Sequence, residues 1–347
     1  MSNNKETPPA SSRVAKRKTK GSRWKKISLI TGCILAALLI GSGAYAYHLY
    51  HSVQTAANKM YHPVKGNSKS SSKVQKLKKN GNAQPISILL MGVDQRPNDP
   101  GRSDTLIVLT LNPKNKEMQM VSIPRDTRIQ LPGYGWQKIN AAYAFGGPKL
   151  AMQTVKNYLN VPLDYYVRIN MQGLSDLVNA VGGVTVNNTL SWHDEGFYKK
   201  GYFYHKGTLN LNGPQALGFV RMRHLDPQGD FGRNQRQRKV IRAIVKKASG
   251  FSSFSHYQDI LNAISSNVIT DMTFSDMKSV VMNYSECKNN MKSYEVKSTP
   301  KRINGLDYVI ASNQEIQKIH NLIMNQLQGN QSSSTTNQSN SENAKSH

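Results

Sequence analysis

Apolar positions along the chain fall into runs of different kinds, and their spacing predicts the elements. From Ile27 to Tyr47, 21 residues pass without a formal charge, through Leu29, Ile30, Ile34, Leu35, Leu38, Leu39 and Ile40. A helix rising about 1.5 Å per residue would carry that run across the roughly 30 Å of a bilayer's apolar core. The run does not alternate polar and apolar faces as helices of soluble domains do, so a membrane span is expected. Ala44-Tyr45-Ala46 resembles a cleavage site, but the long basic leader and the length of the run favour a retained anchor. A faint lipoprotein-like run, Ile30-Thr31-Gly32-Cys33, has too few apolar residues before the cysteine.

Three β-type runs come next, at Ile86 to Met91, Leu106 to Leu111 and Met118 to Ile123. The turn-rich segment Asn112 to Glu117 joins the second and third as an antiparallel hairpin. If the first two also pair antiparallel, then Asp94, Arg102, Asp104, Arg125 and Asp126 all gather at one edge of the sheet. Further on, Pro148 opens a helix whose apolar face holds Leu150, Ala151, Val155, Tyr158 and Leu159. A strand is expected at Tyr165 to Ile169, then a helix through Leu174, Leu177 and Val178 that ends at Gly182-Gly183. Pro214 starts a short helix, and Val240, Ile241, Ile244, Val245 and Ala248 form a stripe on a basic one. Strands mixed with helices predict an α/β layered domain around one mixed sheet.

Charge sharpens this picture. The 347 residues carry 46 Lys+Arg against 20 Asp+Glu, a net charge of +26, which points to polyanionic partners. Residues 1–26 hold nine Lys/Arg and one Glu among Pro, Ser and Thr, and are expected to be a disordered tail. By the positive-inside rule that tail is cytoplasmic, and everything after the 27–47 span lies outside. Residues 48–84, with seven lysines, no acid and a serine cluster, are expected as a stalk. Residues 329–347, mostly Ser, Asn, Thr and Gln, are expected as a solvated tail. The globular part is then 85–328, with 29 Lys/Arg against 18 Asp/Glu. Cys33 in the span and Cys287 in the domain cannot pair, so no intramolecular disulfide is expected.

The densest feature is the arginine block: Arg221, Arg223, Arg233, Arg236, Arg238 and Arg242 fall within 22 residues. The planar guanidinium fork suits phosphate oxygens, and it keeps its charge at any physiological pH. Arg221 and Arg223 alternate onto one face of an extended segment, while Arg233 and Gln237 stand one helical turn apart. A solvated basic helix is the plainer reading of the same residues. Asp94 and Asp104 are of the type that holds a hard divalent cation through oxygen, as magnesium is held beside phosphate substrates. His193-Asp194-Glu195 lacks a second histidine at zinc-ligand spacing. The domain has no Walker loop, nucleophile elbow or Rossmann fingerprint, so an ATP-driven enzyme is not expected.

Together these motifs resemble one family. Gly92-Val93-Asp94, Arg102-Ser103-Asp104-Thr105, Ser122-Ile123-Pro124-Arg125-Asp126, Lys138 to Tyr143 with Gly146-Gly147, Val181-Gly182-Gly183-Val184, Leu211 to Leu217 and the arginine block occur in order. The chain resembles the LytR-CpsA-Psr glycopolymer ligases over roughly residues 86–248, and residues 250–328 carry little of the resemblance. The resemblance implies a single three-layer α/β/α domain around a mixed sheet, with an apolar groove for a polyprenyl chain and a charged mouth for its pyrophosphate. It implies transfer of a glycopolymer, such as teichoic acid or a capsular polysaccharide, from undecaprenyl pyrophosphate to a peptidoglycan hydroxyl. Asp94 and Asp104 look like ligands of magnesium (or manganese). Arg102, Arg125, Arg221, Arg223, Arg233 and Gln237 look like pyrophosphate contacts, with Arg102, Arg125 and Asp230 in catalysis. The expected partners are the polyprenyl-pyrophosphate-linked glycopolymer, peptidoglycan and the membrane, with no nucleic acid. The alternatives are a polyprenyl-pyrophosphate hydrolase, a wall-polymer binding module and a membrane-bound transcriptional regulator.

Overall fold

In a computed structural model, the described residues are 21–64, 83–95, 99–248, 250 and 254–329, with backbone alone described for 21–37 and 254–257. The chain divides into two units, Met1–His51 and Ser52–His347. Helix α1 spans Gly21–Met60 and includes the 27–47 run expected to cross a membrane. Among the described residues, no helix is long and apolar enough to cross a membrane. Most of the basic leader, residues 1–20, and the polar tail at 330–347 lie outside the described residues, as do the side chains of the 27–47 run up to residue 37.

The second unit is built on a six-stranded mixed sheet. Strands β1 (Ile86–Val93), β2 (Ser103–Asn112) and β3 (Glu117–Ile123) form its centre. They pair antiparallel, Leu89 opposite Val108 and Val108 opposite Val121, as the short connections require. Strand β6 (Tyr165–Asn170) lies parallel to β1 and leads to an edge strand, β11 (Val268–Thr270). On the other side β12 (Asn290–Glu295) lies parallel to β3. Residues after 250 thus supply both edges of the sheet.

Side-chain alternation sends the central strands into two cores. Leu89, Met91, Val108 and Val121 meet α2 (Ala141–Leu159) and α8 (Asn313–Gln328) through Val155, Leu159, Ile319 and Ile323. Ile86, Ile88, Ile107 and Met120 face the other way, toward Met272, Tyr284, Ile241 and Val245. In α2, Gly146 and Gly147 leave helical geometry, with Gly147 at φ +59°, and Pro148 begins the second helical stretch. That proline has no N–H to lose a hydrogen bond with at a helix start.

A third apolar cluster is built by α3 (Met171–Ala180), α4 (Gly213–Arg221), α5 (Asp230–Ala248) and α6 (Phe254–Ile264), through Val178, Phe219, Val240 and Ile260. Asn212 and Gln215 form a reciprocal capping box that fixes where α4 begins. The segment expected as a stalk is partly folded in: Val53, Ala56, Ala57 and Met60 are buried. The backbone N–H of His62 donates to the Thr270 carbonyl at 2.7 Å, and the Tyr166 hydroxyl donates to the His62 carbonyl at 2.7 Å. The compact unit therefore starts near Ser52 rather than at residue 85, because this stretch completes an apolar surface and caps an edge strand. Residues 65–82 of the expected stalk lie outside the described residues.

Candidate functional site

A cavity of about 520 Å3 opens between the sheet and helices α3 and α5. Leu90, Leu109, Val167, Leu174, Ile241 and Val245 are among its apolar walls, and Asp94, Asp104, Arg125, Arg221, Arg223, Arg233 and Gln237 also line it. Topology explains the segregation: Asp94 follows β1, Asp104 opens β2 and Arg125 follows β3, so all three share one sheet edge. From Asp104 to Leu109 the wall runs five residues along β2, about 17 Å at the usual strand rise. From Arg233 to Val245 it runs twelve residues along α5, about 18 Å at the usual helical rise. One cavity of that length thus joins a charged mouth to an apolar interior.

Ion pairs interlock at the mouth. The Arg125 Nη1 donates to Asp104 Oδ1 at 2.9 Å and its Nε to Asp230 Oδ2 at 3.3 Å. The same Asp230 Oδ2 accepts from Arg233 Nη2 at 3.1 Å, and its Oδ1 lies 3.4 Å from Arg223 Nε. Asp230 is therefore a hub that orients three guanidinium groups, placed there as the first residue of α5. Arg221 Nη2 stands 3.9 Å from Asp94 Oδ2, and its guanidinium carbon lies over the Phe197 ring, 4.8 Å from the centroid. Burial alone would lower the Arg125 pKa, but the neighbouring carboxylates Asp104 and Asp230 more than offset it and hold the group charged. Burial lowers that of Arg233, with Asp230 pulling it back.

Two glycines make the corner possible. A Cβ on Gly92 would stand 2.9 Å from the Thr105 side chain, and Gly101, at φ +74°, lets the loop fold back onto the Asp94 carbonyl, where a Cβ would approach to 2.8 Å. Asn140, which the sequence reading missed as a site residue, donates from Nδ2 to Asp104 Oδ1 at 3.3 Å. Its only early signal was its place in the Lys138 to Tyr143 motif.

Not every expected residue reaches the cavity. Arg102 is exposed, is absent from the cavity wall and has no ion pair among the described residues. It precedes β2, where Ser103 takes the buried position and Asp104 the one facing Arg125. Arg221 and Arg223 are not on one extended segment: Arg221 ends α4, and Arg223 lies just past it. Both line the cavity all the same.

The rest of the arginine block braces α5 from behind. Arg236 Nη1 pairs with Asp226 at 2.5 Å, and another of its donors reaches the Met222 carbonyl. Arg238 bridges Ser122 Oγ at 2.7 Å and Glu295 Oε2 at 3.1 Å, with Asn234 donating to Glu295 at 2.7 Å. These two guanidiniums are buried, so they are not a solvated basic face. His193-Asp194-Glu195 is a structural turn in which Asp194 accepts from the backbone N–H groups of Gly196 and Tyr198 at 2.7 and 3.1 Å.

No group of three or more His, Cys, Asp or Glu side chains positioned to hold a metal occurs among the described residues. The pair at the mouth nonetheless suits a hard cation shared with an anionic substrate. Asp94 and Asp104 offer only oxygen, both line the cavity, and Asp104 Oδ2 accepts no hydrogen bond from a described residue. Magnesium is commonly held in that way, through one or two carboxylates plus substrate phosphates.

A mixed sheet and helices that enclose an apolar cavity behind an arginine-lined mouth define a class of protein, and the sequence falls within it. Residues 47–325 match the model of the LytR_cpsA_psr family, and the chain belongs to that family. It is 46% identical over 273 residues to a Bacillus anthracis protein named polyisoprenyl-teichoic acid--peptidoglycan teichoic acid transferase TagU, covering 78% of this chain and 88% of the relative. Among solved structures, the crystal structure of B. subtilis TagU is 39% identical with a TM-score of 0.57, over 70% of this chain and 97% of that one. A structure described as TagT bound to LIIa-WTA is 29% identical with a TM-score of 0.61, over 71% of this chain and 91% of that one.

Proposed function

We propose that this protein transfers a wall glycopolymer from a polyprenyl-pyrophosphate carrier to a hydroxyl of peptidoglycan and releases polyprenyl phosphate. The observation that carries the reading is the continuity of an arginine-lined mouth with an apolar cavity, together running about 18 Å along α5, the complement of a diphosphate on a hydrocarbon tail. The names of the relatives, teichoic acid transferases, point the same way.

In this mechanism the apolar cavity takes the polyprenyl chain out of water, at roughly 0.8 kcal/mol for each CH2 buried. Arg125, Arg221, Arg223 and Arg233 grip the pyrophosphate, and Asp230 keeps three of those forks aimed. Gln237, one turn beyond Arg233 on the same wall, donates a further hydrogen bond. The acceptor oxygen attacks the phosphorus next to the glycopolymer, a new P–O bond forms and the bond to the bridging oxygen breaks. The hydroxyl proton passes to a carboxylate of the mouth, and polyprenyl phosphate leaves. Asp94 and Asp104 would hold a magnesium or manganese ion, which when bound neutralises charge on the phosphate oxygens. In-line displacement of this kind needs mainly positioning and charge neutralisation, which this arrangement of fixed guanidiniums supplies. The reading also places the protein at a membrane, its catalytic unit outside and its basic leader inside, so that a lipid carrier reaches the cavity from the bilayer.

The test incubates the full chain with a synthetic polyprenyl-pyrophosphate glycan, peptidoglycan fragments and magnesium, and follows both products. Transfer to the fragment, abolished in Asp104→Ala and by chelation, is expected. Lipid monophosphate with free phosphorylated glycan would make the protein a hydrolase, and no turnover would leave a binding module.

A further inference from the structure

A second cavity, of about 270 Å3, lies away from the mouth, between the hairpin of β4 (Arg128–Leu131) and β5 (Gly135–Lys138) and the second half of α2. Its walls include Arg128, Gln130, Trp136, Asn157 and Tyr158. It lies just below the size usual for drug-like ligands, about 300 Å3 upward, and so suits a single small ring.

Three features of this cavity are unspent by the fold. Trp136 is 53% exposed although it is a large aromatic residue, and the Arg128 guanidinium lies 3.8 Å from its ring centroid. Arg128 has no carboxylate within ion-pair distance among the described residues, and its buried Nε has no hydrogen-bond partner. The buried Tyr158 hydroxyl also lacks a partner. Burial, helped by the charge of Glu315, raises the Tyr158 pKa far above its ordinary value, so the group remains a donor. Buried polar groups are rarely left unpaired, and two in one cavity beside an exposed indole mark a site shaped for a ligand. The cation stacked on Trp136 calls for an anion, the indole for the flat face of a ring, and Tyr158 for an acceptor oxygen.

The hairpin is tied to the mouth at its root. Lys138, opposite Arg128 in the ladder, pairs with Asp126 at 2.8 Å, and Asp126 lies 3.7 Å from Arg125. A ligand held on the hairpin is therefore anchored on the element that follows the catalytic arginine.

We propose that this second cavity binds an acidic sugar unit, its ring stacked on Trp136, its carboxylate on Arg128 and an oxygen acceptor on Tyr158. That the sugar belongs to the peptidoglycan acceptor, at a muramyl unit whose lactyl carboxylate carries no stem peptide, rests on the function proposed above; the demand for an anionic ring does not. Phosphate-bearing polyols of a wall polymer offer the same charge without the ring, so the test sets the two sources apart.

Calorimetric titration of the full chain would use three probes: the disaccharide of N-acetylglucosamine and N-acetylmuramic acid, the neutral N-acetylglucosamine disaccharide, and a glycerol-phosphate oligomer. The acidic disaccharide is expected to bind at least tenfold more tightly than the neutral one, and Arg128→Gln to erase that preference. Trp136→Ala should weaken binding about tenfold or more, in line with the loss of a stacking platform. Tyr158→Phe should weaken it several-fold without lowering the melting temperature, since the hydroxyl bonds nothing in the fold. Unchanged affinity in Trp136→Ala and Tyr158→Phe would overturn the proposal, as would equal binding of the neutral disaccharide or binding of the glycerol-phosphate oligomer alone. Arg125→Ala separates the two readings: disaccharide binding should survive it although transfer is lost. Disaccharide binding in a wild-type chain that transfers nothing would uphold this site and refute the proposed reaction.

Discussion

Two sets of arginines on or beside one helix carry the same charge and do different things. Behind the cavity, Arg236 meets Asp226 and Arg238 meets Glu295, one acid to each base, with side chains 6% and 10% exposed. At the mouth, Arg125, Arg221, Arg223 and Arg233, with Lys138 beside them, share Asp94, Asp104, Asp126 and Asp230, and Arg221 and Arg223 are 30% and 36% exposed. The rear set is neutralised and dry, whereas the mouth keeps a positive surplus beside open space. Charge left over where a ligand can enter marks a binding site; charge cancelled in the interior marks a brace.

The largest effect expected from breaking this distinction is on stability. Arg238→Ala leaves Glu295 buried without its cation and should cost about 3–5 kcal/mol, measured by denaturant unfolding. Activity per folded molecule should change little. Burial already raises the Glu295 pKa above the ordinary carboxylate range, although Asn234 and Arg238 pull it down. A raised value means that the folded state holds the proton better than the unfolded chain does. That contribution is fully present below the unfolded value, about 4.3 for glutamate, and is lost as pH rises through the folded one. Removing Arg238 raises the folded value further, so the variant's deficit should be smallest in acid and widen toward neutral pH.

Arg125→Ala comes next and falls on the other side of the comparison. Losing a charge-assisted contact to the transition state typically costs about 3 kcal/mol, roughly two orders of magnitude in rate. Its unfolding free energy should move far less than that of Arg238→Ala, because its carboxylate partners are partly exposed, Asp230 retains Arg223 and Arg233, and Asp104 retains the Asn140 amide. A variant that transferred glycopolymer at the parent rate would remove Arg125 from the site.

Gln237→Ala sharpens the line at lower cost. Gln237 lines the cavity, and its side-chain amide makes no hydrogen bond to a described residue. Its removal should leave the melting temperature unchanged and weaken substrate binding by about 1.5–3 kcal/mol, the worth of one hydrogen bond to a charged group. A drop in stability instead would move it to the bracing set.

How far the sequence showed all this depended on whether a residue's role is local. Strands β1 to β3 were legible because each is a continuous apolar run with turn residues between, and their short connections force the pairing that brings Asp94, Asp104 and Arg125 together. Strand β12 was not, because Asn290 to Glu295 is an edge strand with little buried side chain, and its parallel partner is remote in sequence. The arginine block stood out as a block, but its split into mouth and brace depends on Asp226 and Glu295, and the latter lies 57 residues beyond Arg238. Arg102 lies off the cavity wall for a related reason: it shares the sheet edge with Asp104, yet one residue of register decides whether a side chain faces the cavity or water.

The smallest expected effect separates the two sets by salt alone. At about 0.1 M salt the Debye length is roughly 10 Å, and at 1 M it is about 3 Å, so half-exposed cations lose reach while buried pairs do not. The KM for an anionic donor should therefore rise with salt in the wild type, and the KM difference between wild type and Arg223→Ala should shrink. The stability difference between wild type and Arg238→Ala should stay the same at both salt concentrations, because the Arg238 and Glu295 charges are out of solvent. If the Arg238 difference fell with salt as steeply as the Arg223 one, the two sets would be one field, and the division of the block into mouth and brace would fail.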